Sequence, residues 1–246
     1  MPRLVADEAA VVADAPLSLH GVRAGYGRIE VLHGVDIAVR RGELTALLGP
    51  NGAGKTTTLG VMSGLLTPSS GCRHVCGKHV NGAAPDELAR AGVCHVREGR
   101  SVFPNLSVAD NLIVAASNGA ATDRLLEVTF TLFPRLKERQ SQLAGTLSGG
   151  ERQMLALARG LGTDPTVLLI DELSMGLAPL VVGQLYDAVA AVAAQGVSVL
   201  LVEQFATIGL RYADTAIVMA HGVVTYSGPS QGADDAVRAA YLGGGE

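Results

Sequence analysis

Gly49-Pro-Asn-Gly-Ala-Gly-Lys-Thr56 has the spacing G-x-x-x-x-G-K-[S/T] and lies between a predicted strand and a predicted helix. The apolar run Leu44-Thr-Ala-Leu-Leu48 before it is typical of a strand buried on both faces, and Lys55–Leu65 after it predicts a helix. Glycines let backbone N–H groups surround a phosphate chain, and the helix N-terminus adds a positive field. The stretch therefore predicts a phosphate-binding loop, which by itself does not separate kinases, GTPases and ATPases.

The side chains of this loop indicate how a nucleoside phosphate would be held. Lys55 can reach the β- and γ-phosphates, and the hydroxyl of Thr56 can ligate Mg²⁺. The predicted phosphate contacts are the loop residues and the first helical positions, namely Gly49, Pro50, Asn51, Gly52, Ala53, Gly54, Lys55, Thr56 and Thr57.

Two adjacent acids, Asp171 and Glu172, supply the expected second half of the site. They follow the apolar run Val167-Leu-Leu-Ile170, so they lie at the carboxyl end of a predicted strand, where parallel sheets bind ligands. We expect Asp171 to hold Mg²⁺ through water and Glu172 to act as general base for the attacking water. Such a pair standing alone is commonly a solvated strand end, but the phosphate loop upstream favours the catalytic interpretation.

Strand patterns alternate with helical patterns along most of the chain, which predicts an α/β fold with a mostly parallel core sheet. Leu17–Val22 and Val35–Arg40 alternate apolar and polar residues, which predicts an antiparallel β subdomain. Residues from about 99 to 150 show helical patterns only and predict an inserted helical subdomain. We expect residues 1–16 to form a flexible tail and residues 17–246 to form one domain.

Composition limits the compartment and the class of partner. The 246 residues carry a net charge of −4, which argues against a nucleic-acid partner, and no run reaches the roughly 20 apolar residues of a membrane span. Three cysteines cannot all pair with one another, which fits a reducing cytoplasm. Cys72, His74 and Cys76 would share one face of a strand, but the spacing lacks a four-ligand set, so we expect no zinc site.

Leu147-Ser-Gly-Gly-Glu-Arg-Gln153 is the most informative stretch of the chain. Ser148 and Glu151 have capping-box spacing, which predicts an amphipathic helix ending near Leu161. Ser148, Gly149 and Gly150 would place donors at an exposed helix N-terminus that suits a phosphate. The stretch resembles the signature motif of ABC (ATP-binding cassette) ATPases, and it precedes Asp171 by roughly 20 residues, as in that family.

The resemblance covers residues 17–242 and implies an ABC cassette of the P-loop NTPase fold that binds ATP and Mg²⁺. It implies two ATPase subunits arranged head to tail, with each ATP between the phosphate loop of one and the signature of the other. Tyr26 matches the aromatic residue that stacks on adenine in that family, and ordinary packing is the alternative. The implied partners are transmembrane permease subunits and, indirectly, a substrate-binding protein, which places the chain peripherally at the cytoplasmic face of the cell membrane.

Further segments resemble the ATPases of branched-chain (hydrophobic) amino acid importers, and are most similar to the second, shorter subunit of their pair. The segments are Arg97-Glu-Gly-Arg100, Met175-Gly-Leu-Ala-Pro179, Val202-Glu-Gln204 and Val237-Arg-Ala-Ala-Tyr-Leu-Gly-Gly244. Hydrophobic amino acid import is thus implied, with a sister ATPase or a second copy as the dimer partner. Import of urea or short amides, a soluble ABC ATPase, and a non-hydrolysing regulatory cassette are the alternatives.

Three positions depart from the general ABC pattern. Glu98 stands where a glutamine is usual, so it is either a Mg²⁺ ligand or a plain surface acid. Gln204 replaces a histidine that contacts the γ-phosphate, and its amide can donate a hydrogen bond but cannot carry a charge. Ala178 stands in place of an aspartate of the subunit interface.

Overall fold

Two β-sheets organise the chain in the computed structural model, which describes residues 15–97, 99, 101–116 and 119–242. The strands are β1 (Leu17–Tyr26), β2 (Ile29–Val39), β3 (Leu44–Leu48), β4 (Ser70–Val75), β5 (Lys78–His79), β6 (Val93–Val96), β7 (Val167–Asp171), β8 (Ser198–Glu203), β9 (Thr215–Ala220) and β10 (Val223–Pro229). The helices are α1 (Lys55–Met62), α2 (Pro85–Arg90), α3 (Val108–Ala115), α4 (Gly119–Leu132), α5 (Pro134–Glu138), α6 (Gly149–Leu161), α7 (Pro179–Ala194), α8 (Ala206–Tyr212) and α9 (Asp234–Leu242).

The six-stranded core sheet has the order β10-β9-β3-β8-β7-β6. The pairs formed by β9, β3, β8, β7 and β6 are parallel, and only β10 runs antiparallel to its neighbour. Every residue of β3 is buried because helices cover one face and the second sheet with α1 covers the other. The α/β prediction with a mostly parallel core sheet is confirmed.

The four-stranded sheet, of order β2-β1-β4-β5, is antiparallel throughout, as the alternating patterns predicted. Its apolar face, which includes Leu17 and Val35, joins α1 and one face of the core sheet in a single hydrophobic cluster. Arg73 of β4 is fully buried there, and its guanidinium donates to backbone carbonyls that include that of Val61 in α1. The second sheet therefore supports the helix that follows the phosphate loop.

Residues 101–147 contain α3, α4 and α5 and no strand among those that the structure describes. These helices pack on α6 through a cluster that includes Leu112, Leu125 and Phe133. The buried amide of Asn111 bonds to the backbone of Phe103 at 2.8 and 2.9 Å, which holds the start of this segment.

Several sequence predictions need correction at their boundaries. Helix α1 ends at Met62 and not at Leu65, because Ser63 bonds back to Leu59 and Gly64 takes a φ of 78°. Strand β4 stops at Val75 and Cys76 takes a φ of 47°, so Cys76 does not share a strand face with Cys72 and His74 as the sequence pattern indicated.

The N-terminal segment and the surface give two further findings. Residues 1–14 of the expected tail lie outside the described residues, whereas Ala15 is buried and Pro16 accepts a hydrogen bond from Cys76 N at 3.0 Å. In the described part of the chain, no helix is both long enough and apolar enough to span a membrane. That part also contains no group of three or more His, Cys, Asp or Glu residues suited to a metal ion.

Candidate functional site

The phosphate loop joins the end of β3 to the start of α1. A Cβ added at Gly49 would lie 2.3 Å from the carbonyl oxygen of Met219, so only glycine fits against the neighbouring strand. Gly54 caps α1 with a φ of 104°, a left-handed conformation that glycine adopts without strain. The loop therefore has the sharp turn and the open backbone that a phosphate requires.

Lys55 folds back on its own loop. Its Nζ donates to the carbonyl oxygens of Gly49 at 2.7 Å and Pro50 at 3.1 Å. Burial lowers the pKa of Lys55, while the nearby carboxylates of Glu172, Asp171 and Glu203 act in the opposite direction. The ammonium group thus lies in a buried, acid-lined position with weak neutral acceptors.

The first turn of α1 presents its threonines on different sides. Thr56 is exposed, whereas Thr57 is buried. Thr58 is also buried and bonds through its hydroxyl to Gly54 O at 3.0 Å. Of these three hydroxyl groups, only that of Thr56 faces solvent beside the loop.

Two further segments of the predicted site lie at the same edge of the core sheet as the phosphate loop. Leu48 pairs with Glu203, and Asp171 pairs with Val202, so β3, β7 and β8 end side by side. Gly49, Glu172 and Gln204 are the first residues after those strands. Parallel strands bind ligands at this carboxyl edge, and the fold thus brings the phosphate loop together with both acids and the glutamine.

Glu172 takes a φ of 46°, which is left-handed and uncommon for a residue with a side chain. Its N–H donates to Val202 O at 3.1 Å, so the chain turns out of the sheet while remaining bonded to β8. A non-glycine residue in this region costs about 1–3 kcal/mol, and such strain is common at functional positions.

Sequence reasoning missed a buried network that holds the segment after Glu172. Glu203 is 1% exposed and accepts hydrogen bonds from Ser174 N at 3.2 Å, Ser174 Oγ at 2.9 Å and Tyr186 Oη at 2.6 Å. Burial raises the pKa of Glu203 although these three bonds act to lower it. Burial and the same carboxylate raise the pKa of Tyr186 well above its usual range. An acid that ends an apolar run was the only local signal.

Gln204 is half-buried, and its backbone carbonyl accepts a hydrogen bond from Tyr241 Oη at 2.7 Å. Tyr241 was not among the predicted site residues, since it lies 37 residues away on α9. Tyr26, the predicted adenine-stacking residue, ends β1 and is 57% exposed. Glu98, the third expected Mg²⁺ ligand, lies outside the described residues.

The signature residues start α6 with the predicted capping box. Ser148 Oγ accepts from Glu151 N at 3.3 Å, and Glu151 Oε2 accepts from Ser148 N at 2.9 Å. Burial raises the pKa of Glu151, but the bonds from Ser148 and the charge of Arg139 at 2.9 Å outweigh it and leave that pKa below its usual value. Ser148 and Gly149 are exposed, but the N–H and the hydroxyl of Ser148 both donate to Glu151 Oε2, at 2.9 and 2.8 Å.

The signature helix also contacts the segment that follows Glu172. A Cβ on Gly150 would lie 2.5 Å from Val181 Cγ1, and one on Gly149 would lie 3.5 Å from Leu177. Both segments line a cavity of about 230 Å³, to which the signature helix contributes Gly149 and Arg152 and the other segment contributes Glu172 and Met175. Ala178 is exposed and caps α7 without a side-chain bond.

Comparison with known proteins identifies the family. The family model for ABC transporters matches residues 32–174. The chain belongs to the ABC transporter family. It is 41% identical to the high-affinity branched-chain amino acid transport ATP-binding protein BraG of Pseudomonas aeruginosa, over 93% of this chain and 100% of that protein.

Two other similarities agree with this membership. The chain is 34% identical to the probable branched-chain amino acid transport ATP-binding protein LivF of Archaeoglobus fulgidus, over 84% of this chain and 89% of that protein. It superimposes with a TM-score of 0.83 on the ADP conformation of an ATP-binding cassette of an ABC transporter, at 25% identity, over 92% of this chain and 98% of that one. The chain is therefore an ATP-binding, ATP-hydrolysing cassette with the ABC fold.

Proposed function

We propose that this ATPase powers an importer of branched-chain or other hydrophobic amino acids. The observation that carries the ATPase assignment is the convergence of Lys55, Asp171, Glu172 and Gln204 at one edge of the core sheet. The class of substrate rests on the similarity to BraG over its whole length. On this proposal the chain acts at the cytoplasmic face of the membrane, on permease subunits that receive amino acids from a substrate-binding protein.

The side chains fit the chemistry of ATP hydrolysis. Lys55 exchanges the carbonyls of Gly49 and Pro50 for β- and γ-phosphate oxygens, which are stronger acceptors because they are charged. Gln204 donates its amide N–H to the γ-phosphate, and Glu172 accepts a proton from the attacking water.

Mg²⁺ fits the oxygen donors at this edge. The exposed hydroxyl of Thr56 and the half-buried carboxylate of Asp171 are hard ligands, and Glu98 is a third candidate. When bound, Mg²⁺ neutralises negative charge that develops on the phosphate oxygens. Tyr26, exposed at the end of β1, stacks on the adenine ring in this proposal.

A second ATPase subunit completes each nucleotide site. Ser148 and Gly149 are exposed at the N-terminus of α6, a position that suits the γ-phosphate bound by a partner. On this proposal Ser148 exchanges its bonds to Glu151 Oε2 for bonds to that phosphate. The partner is a sister ATPase or a second copy of this chain, placed head to tail.

Dimer formation and turnover test the ATPase half of the proposal. Glu172→Gln should bind Mg²⁺-ATP but no longer hydrolyse it. With ATP it should form a dimer, either with a second copy or with the sister subunit, and light scattering measures this change in mass. Ser148→Arg in the same background should bind ATP as a single chain and fail to dimerise. Normal ATP-dependent dimerisation of Ser148→Arg would refute the shared site, and Lys55→Ala is the control for lost nucleotide binding.

Uptake tests the substrate. In cells lacking the native protein, the unmodified chain should restore uptake of radiolabelled leucine, and Glu172→Gln produced at the same level should not. Restored uptake of urea or acetamide without leucine would replace the proposed substrate by urea or short amides. Normal leucine uptake with Glu172→Gln would contradict the catalytic assignment.

A further inference from the structure

The hydroxyl of Tyr241 lies between two segments of the nucleotide site. It donates to the backbone carbonyl of Gln204 at 2.7 Å and accepts from the backbone N–H of Gly49 at 3.2 Å. These partners precede Tyr241 by 37 and 192 residues, and they are the first residues after β8 and β3. One phenol therefore connects the start of the phosphate loop to the backbone of the glutamine proposed to meet the γ-phosphate.

Helix α9 holds this phenol in place by packing. Ala233, directly before the helix, is fully buried, and Val237 packs against the main hydrophobic cluster. Tyr241 is four residues after Val237 and so lies on the same helix face. Burial raises the pKa of the Tyr241 phenol, which keeps the proton that the bond to Gln204 needs.

The backbone around Gln204 is restrained on its N-terminal side and little restrained on its C-terminal side. On the N-terminal side, the Glu203 side chain is fixed by the three hydrogen bonds from Ser174 and Tyr186. On the C-terminal side, Phe205 is exposed and offers little packing before α8 begins. The bond from Tyr241 acts on the carbonyl between these two regions, where the chain leaves the sheet.

We infer that Tyr241 is a positioning residue for hydrolysis. By bonding Gln204 and Gly49 at once, it fixes the distance between the Gln204 backbone and the phosphate loop, and so the reach of the Gln204 amide toward the γ-phosphate. This inference rests on the proposed role of Gln204. The C-terminal helix thereby sets catalytic geometry without touching the nucleotide.

The test compares Tyr241→Phe with Tyr226→Phe. Each change removes one hydroxyl and keeps the ring, and Tyr226 Oη donates to Pro229 O at 2.7 Å, away from the site. Tyr241→Phe removes both hydrogen bonds of this hydroxyl and should lower kcat for ATP about five-fold, whereas Tyr226→Phe should not. In a Gln204→Ala background, Tyr241→Phe should change kcat less than about two-fold, because the side chain that it positions is absent.

A residue that only docks α9 would give a different result. It would lower kcat by the same factor with and without the Gln204 side chain, and that result would overturn the inference. A kcat unchanged by Tyr241→Phe in the otherwise unmodified chain would overturn it as well.

Hydrogen exchange gives a readout that needs no turnover. In the nucleotide-free full chain, the Gly49 amide should exchange at least about five-fold faster in Tyr241→Phe than in the unmodified chain or in Tyr226→Phe. An unchanged rate at Gly49 would refute the connection. If the unmodified chain hydrolysed no ATP under any condition, the proposed function would fail, while exchange at Gly49 would still decide whether Tyr241 holds the phosphate loop.

Discussion

Replacing Glu203 by alanine would remove the acceptor from three buried donors at once. The backbone N–H and hydroxyl of Ser174 and the hydroxyl of Tyr186 all bond to this carboxylate. A buried donor left without its acceptor costs about 1–3 kcal/mol. The hydroxyl groups can rotate, and loss of a buried charge offsets part of the cost, so we take the lower limit for each donor. The expected decrease in the free energy of unfolding is about 3 kcal/mol, a large share of the 5–15 kcal/mol typical of a domain.

Glu203→Gln separates the hydrogen bonds from the charge. The glutamine carbonyl still accepts from Tyr186, and its amide can donate to the Ser174 hydroxyl, so the expected cost near neutral pH is less than about 1 kcal/mol. Urea unfolding followed by circular dichroism measures both variants. Glu43→Ala is the matched control. Glu43, like Glu203, accepts a hydrogen bond from a hydroxyl group, that of Thr215 at 2.8 Å, but its side chain is 35% exposed. A loss with Glu203→Ala no larger than that with Glu43→Ala would refute the network as a source of stability.

The difference in stability between Glu203→Gln and the unmodified chain should depend on pH in a defined direction. Burial raises the pKa of Glu203 in the folded chain, so the folded state binds this proton more tightly than the unfolded state does. Its contribution to stability is therefore complete below the unfolded value, about 4.3, and is lost as pH rises through the folded pKa. The stability of Glu203→Gln relative to the unmodified chain should accordingly increase with pH above about 4.3 and then level off. A difference that stays constant from pH 4 to pH 8 would contradict the raised pKa.

Two further predictions concern packing, and both are measured as free energies of unfolding in urea. Gly150→Ala should destabilise the chain by about 1–3 kcal/mol, because the new Cβ meets Val181 Cγ1 at 2.5 Å. Adding Val181→Ala should recover most of that loss. Gly149→Ala, the control, should leave the free energy of unfolding unchanged or raise it. If Val181→Ala did not restore the stability lost in Gly150→Ala, the contact with Val181 would not be the cause of that loss. Arg73→Met should cost about 3 kcal/mol, since it leaves the backbone carbonyls of Val61, Val80 and Ala83 without this donor. The exposed Arg90→Met should stay within about 0.5 kcal/mol, and equal effects of the two changes would contradict this account.

Local sequence patterns predicted the elements that have strong periodicity or clear ends. Strand Leu44–Leu48 has the bounds of its apolar run, and the helix that follows Ser148 ends at Leu161, as its capping box and amphipathic pattern predicted. The short helices α5 and α8 were missed, because five and seven residues give too little periodicity to detect. Their formation depends on tertiary contacts, such as those of Leu136 and Ile208 with the main cluster.

The candidate site likewise contains residues that the sequence indicated and residues that it did not. Residues with a motif, such as Lys55, Asp171 and Ser148, could be found from spacing alone, and the carboxyl-edge rule placed the first two together. Glu203 and Tyr241 could not be found so, because their partners lie 17 to 192 residues away and are mostly backbone groups. Such contacts leave no spacing rule in a single sequence.

These contacts explain how Glu172 keeps a left-handed backbone. Strain of about 1–3 kcal/mol persists only where neighbouring structure holds it. Here the Glu172 N–H bonds to Val202 on one side, and two residues later Ser174 is held by Glu203 on the other. Both restraints come from the end of β8. Gln204, the first residue after β8, is connected to Gly49 through the hydroxyl of Tyr241. The exits of β7, β8 and β3 are thus joined by one series of hydrogen bonds. A change at Glu203 should therefore alter the position of Glu172 as well as stability, and a Glu203→Gln variant with normal stability but altered kcat would separate the two effects.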